Sequence, residues 1–97
     1  MKKISKGTFF RAFYNPLAVT KKTEYGNSLF GDFTILVCVE GVYYLQSSRV
    51  YYKTFETREE DNYFMFSSES KALNYFNACR ETAEAFSENA GTVAGGF

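Results

Sequence analysis

Between Phe33 and Phe66 the chain carries four clusters of β-branched and aromatic residues, a pattern that restricts the fold more than any other feature of the sequence. They are Phe33, Ile35, Val37 and Val39; Val42, Tyr43, Tyr44 and Leu45; Val50, Tyr51, Tyr52 and Phe55; and Tyr63, Phe64, Met65 and Phe66. Such side chains suit a pleated, half-buried surface, and polar punctuation separates the clusters, so successive antiparallel strands are expected. Glu40-Gly41 is placed as a two-residue hairpin turn, or else as a bulge in one bent strand. Ser47-Ser48 is read as the next reversal, and Glu56 to Asn62 as a solvated hairpin loop with frayed strand ends.

After Ser67 and Ser68 the period changes. Ala72, Phe76, Cys79, Ala83, Phe86 and Ala90 recur at alternating intervals of four and three, which predicts an amphipathic helix lying on the sheet, its stripe widened by Leu73. Either serine can cap it, Glu69 suits its positive end, and Gly91 is the expected stop before a flexible tail over 91–97. Upstream, Met1 to Lys6 reads as a loose lead-in. Thr8 to Tyr14 has strand composition. Asn15-Pro16 breaks that strand and could open a short helix to Lys21 or Lys22, and Thr23 to Gly31 reads as a loop. The expected architecture is one α+β domain over 1–97: an antiparallel sheet of four or five strands with one main C-terminal amphipathic helix on one face.

Eleven Phe and eight Tyr among 97 residues supply a core without metal or disulfide, and leave rings over for the surface. Cys38 falls in a strand and Cys79 on the apolar side of the helix, so both are expected as buried thiols, bridged only if strand and helix bring them together. Neither a signal peptide nor a membrane-spanning run is read in the sequence, and a cytoplasmic chain is expected.

The chain contains no histidine, which removes the Ser-His-Asp and Cys-His pairings and the commonest metal ligand. No phosphate-binding glycine pattern or EF-hand spacing is present. A non-enzymatic protein without cofactor or metal is expected, and its chemistry then lies in its surface. Formal charge is zero, yet residues 1–22 hold six of the eleven basic side chains and no acid. All eleven acids follow. Carboxylates on a rigid domain can occupy a basic groove made for phosphates. Glu56, Glu59, Glu60 and Asp61, with Glu69 beyond them, are the candidate acidic contacts, and Tyr51 and Tyr52 the candidate ring anchors. Glu81, Glu84 and Glu88 would form a second acidic edge. A second reading uses Arg49, Tyr51, Tyr52 and Lys53 to stack and neutralise single-stranded nucleic acid directly. A third is a phage structural or assembly protein.

In format, a histidine-free single domain with a basic start, aromatic strands, one amphipathic helix and acidic edges, the chain resembles the small phage-encoded anti-CRISPR proteins, in particular inhibitors of the type I-F surveillance complex. That resemblance carries no shared motif and implies no residue role. It implies a host partner, a protein or ribonucleoprotein complex with a basic nucleic-acid channel, and inhibition by blocking target DNA, in some members through DNA-like charge.

Overall fold

The computed structural model describes residues 1–26, 30–52 and 57–93, with side chains described for 1–25, 31–50 and 60–85. In chain order the elements are β1 (Lys2–Lys3), α1 (Lys6–Phe13), β2 (Val19–Gly26), β3 (Phe30–Val39), β4 (Val42–Tyr52), β5 (Thr57–Phe66) and α2 (Glu69–Val93). The five strands form one antiparallel sheet in the order β1-β5-β4-β3-β2, and α2 packs on one of its faces. The fold is α+β, as the residue pattern predicts.

Register follows from the β3–β4 turn. Val39 pairs with Val42, so Glu40 and Gly41 are the two turn residues, with φ of 49° and 79°. Both dihedrals are left-handed, as a primed turn that matches strand twist requires; Gly41 accepts this freely and Glu40 does not. From that turn the pairing runs outward through Leu36↔Leu45 and Asp32↔Arg49, and β5 continues it through Leu45↔Phe64 and Arg49↔Glu60.

Because side chains alternate across a strand, this register sorts the sheet into two faces. Leu36, Leu45 and Phe66 meet Ala72 and Phe76 of α2, with Tyr43, Phe64, Leu73 and Tyr75 packed around them. Ile35, Val37 and Tyr63 lie on the other face and meet Phe9 and Ala12 of α1. Ala72 and Ala83 are fully buried and Phe76 nearly so, as the helical spacing predicts. Ser68 caps α2, its Oγ accepting from the Lys71 amide at 3.5 Å. The helix continues through Gly91 to Val93.

Several local expectations are corrected. Thr8 to Tyr14 is not a strand: Ser5 Oγ accepts from the Thr8 amide at 3.2 Å and starts α1. Phe9 and Ala12, three apart, then share the buried face, with Phe10 and Phe13 beside them. Rings of Phe9, Phe10, Phe13 and Tyr63 stack and tilt against each other with centroids 5.3 to 6.3 Å apart. Asn15 opens no helix; its Oδ1 accepts from the Leu17 amide at 2.9 Å in a turn that feeds β2. Thr23 to Gly26 belong to β2, where a loop is expected, and Lys2–Lys3 pair with Phe64 and Met65 where a loose lead-in is expected.

Ser47-Ser48 is no reversal either. Both lie within β4, and Ser48, only 1% exposed, accepts from Gln46 Nε2 at 3.1 Å. Gln46 Nε2 also lies 3.4 Å from the Tyr63 hydroxyl as a donor. Small hydroxyls that look like turn residues here satisfy a buried amide. Finally, Thr57 to Asn62 extend β5 rather than forming a loop.

Candidate partner-binding surface

That last correction changes what the acids can do. β1 covers β5 only at Met65 and Phe64, and the Ile4 amide donates to the Tyr63 carbonyl at 3.0 Å. Main-chain groups alternate sides along an antiparallel strand, so those of Asp61, Glu59 and Thr57 face the same way as the Tyr63 carbonyl. Among the described residues nothing pairs with them there. The N-terminal half of β5 is therefore a free sheet edge bearing Glu59, Glu60 and Asp61 in sequence.

Alternation divides these acids. Asp61 is exposed, opposite Ser48 in register. Glu60 lies on the α2 side, in a polar cavity of about 150 Å³ with Asp32, Ser47, Arg49 and Asn62. Glu69, exposed at the first position of α2, sits beyond the C-terminal end of β5, beside Tyr43, Cys38 and Leu73. The proposed acidic contacts therefore occupy three environments. Glu59 is placed in β5 opposite Val50, and Tyr51 and Tyr52 opposite Arg58 and Thr57, but their side chains lie outside the described set. Glu56 and Lys53 lie outside the described residues, as does the Glu88 side chain.

The polar cavity at Glu60 holds a buried ion pair. Arg49 Nε donates to Asp32 Oδ2 at 2.9 Å, with Asp32 only 7% exposed. A neighbouring pocket of about 280 Å³, sharing Asp32, Ser47 and Arg49, is lined by Tyr75, Ala78, Cys79 and Thr82 from α2. Burial pushes the Cys79 thiol up, and the Asp32 carboxylate adds to this, while a hydrogen bond with Ser47 and the charge of Arg49 act the other way. Burial raises Tyr75 as well, helped by Cys79. A thiol shifted in this direction stays protonated and is a poor nucleophile. Arg49, tied to Asp32 and half-buried, is the one member of the Arg49, Tyr51, Tyr52 and Lys53 set whose side chain is described. Neither cysteine is in a disulfide.

Sequence reasoning did not single out Asp32, although a carboxylate inside a strand of Phe, Ile, Leu and Val signals a buried ionic partner. It also missed the exposed apolar segment between α1 and β2. Tyr14, Leu17 and Val19 are 74%, 63% and 72% exposed, among exposed Arg11, Lys21 and Lys22.

By fold the chain is an α+β protein, a five-stranded antiparallel sheet with its long helix on one face, and no helix among the described residues is long and apolar enough to cross a membrane. No protein-family model, curated protein or solved structure matches it.

Proposed function

We propose that the chain is a non-enzymatic inhibitor of phage or prophage origin that works in the host cytoplasm. It docks on a host ribonucleoprotein with a basic nucleic-acid channel, a CRISPR surveillance complex, and blocks its target DNA. The observation that supports this reading is the extended backbone under Glu59, Glu60 and Asp61. An antiparallel strand rises roughly 3.4 Å per residue, and one strand of B-DNA carries a phosphate about every 3.4 Å along its axis. Glu59 and Asp61, two positions apart on β5 and on one side of it by alternation, therefore fall roughly 6.8 Å apart, near the axial distance between every second phosphate of one DNA strand. With zero net charge on the whole chain, such mimicry is local to this edge. Charge would steer the encounter, and neighbouring rings would slow dissociation.

The test is competition for target DNA on a purified type I-F complex. The double variant Glu59→Lys, Asp61→Lys should lose binding by roughly tenfold or more while circular dichroism is unchanged. Glu60 is left intact because it faces the Arg49 cavity and its reversal would confound folding with binding. Unchanged competition would remove this edge from the interface. Labelled oligonucleotides titrated without the complex serve as the control: salt-sensitive retention would favour direct nucleic-acid binding instead.

A further inference from the structure

The opposite edge of the sheet has a different chemistry. β2 is the terminal strand on that side, so the main-chain groups of alternate residues along it point away from β3 and have no strand partner among the described residues. Beside it, between β2 and the first turns of α2, lies a groove of about 300 Å³ lined by Val19, Thr20, Lys21, Leu36, Cys38, Tyr43, Glu69 and Leu73. Its floor is apolar. Leu36 is 5% exposed, and Tyr43 and Leu73 pack against the same core, while Val19 at its mouth is open to solvent. The register puts Val19 and Lys21 on the groove side and Thr20, Lys22 and Glu24 on the other. On that second side Lys22 makes an exposed ion pair with Glu24 at 2.6 Å, of the kind that contributes little. α1, which packs on that same side of the sheet over β3, β4 and β5, carries exposed Arg11.

We propose that β2 is a docking edge for an extended peptide segment of a partner protein in which apolar and acidic residues alternate. The segment adds a sixth strand. Its backbone pairs along Val19–Gly26, its apolar side chains enter the groove toward Leu36, Tyr43 and Leu73, and its carboxylates meet Lys22 and Arg11 on the opposite face. Each ingredient selects part of this chemistry. The free flank recognises an extended main chain, the groove asks for side chains of period two, and Lys22 and Arg11, outnumbering Glu24 on that side of the sheet, set the sign of the charge. Glu69 at the groove rim keeps the acids to the other side. The proposal is independent of the inhibitor reading, which uses the β5 edge.

The probe is a fluorescein-labelled eight-residue peptide of alternating Val and Asp, titrated into the full chain by anisotropy, with backbone amide NMR to locate it. Saturable binding is expected, with shifts and slowed exchange confined to Val19–Gly26, Cys38 and Leu73. Lys22→Glu should weaken it by roughly tenfold, and Val19→Asp, at a solvent-exposed position, should do the same without touching the core. The Glu59→Lys, Asp61→Lys variant should bind the peptide normally even if it fails against the surveillance complex. Absent binding, equal binding of a Val and Lys peptide, or shifts along β5 would each overturn the proposal. So would self-association in sedimentation that Lys22→Glu abolishes, because the occupant would then be a second copy of the chain.

Discussion

The two faces of the sheet are covered in unlike ways. Over α1 the contact is small and aromatic: an eight-residue helix is held by Phe9 and Ala12 against Ile35, Val37 and Tyr63, with Ile4 and Ala18 filling in from either side. Under α2 the contact is long and changes character along the helix, from Leu36, Leu45, Phe66 and Phe76 at the start to Asp32, Ser47, Arg49 and Cys79 further on. A helix of eight residues is too short to persist alone, so α1 depends on its packing against the sheet. The α2 face instead keeps an ion pair where more leucine would have served, and its integrity depends on charge and protonation as well as on apolar area.

Phe9→Ala tests the aromatic face most severely. Phe9 has no exposed surface, and removing its ring should cost about 3 to 5 kcal/mol in a urea titration. Amides of α1 should lose hydrogen-exchange protection before those of α2; simultaneous loss would show the two faces to be one cooperative unit. Arg49→Ala tests the other face. It leaves the Asp32 carboxylate buried without its 2.9 Å partner and should cost roughly 3 kcal/mol, with Asp32→Asn, Arg49→Met as a double variant recovering part of the loss.

A smaller effect should come from alkali. The Cys79 thiol and the Tyr75 hydroxyl both have folded pKa values raised by burial, so the folded chain holds protons that the unfolded chain releases first. Stability should be level below the ordinary thiol range, about 8.5, and fall as pH rises through it and on past the tyrosine range near 10. Cys79→Ala should flatten the first part of that decline, and a first part unaffected by the substitution would show that Cys79 is not its source. The smallest change, of opposite sign, is Glu40→Asn. It relieves a left-handed residue at φ 49° on neither face, and should stabilise by about 1 kcal/mol or less, with both helices protected in equal proportion.

This asymmetry also governs how far the sequence could be read. β3 and α2 were legible because their apolar residues follow one period without interruption, two in the first and 3.6 in the second. α1 was not, since TFFRAFY satisfies strand composition and helical spacing together; Ser5, able to cap the Thr8 amide, was the available signal. Ser47, Ser48 and the acids of Thr57 to Asn62 suggested turns because polar residues usually mark chain reversal. Here the serines serve a buried network and the acids occupy an edge strand, where charge discourages unwanted pairing and costs the ladder nothing. The acidic candidates were visible as residue types, but their separation was not. Only the register shows that Glu60 turns inward while Asp61 faces water.

The pairing of Lys2 with Met65 also orders events in time. α1 leaves the ribosome before α2, yet Tyr63, part of the floor it rests on, lies about fifty residues further along the chain. Contacts this distant along the chain form late, because a large loop must close before they return any free energy. The N-terminal segment therefore waits, cationic and unseated, until β5 is made, and its docking follows that step.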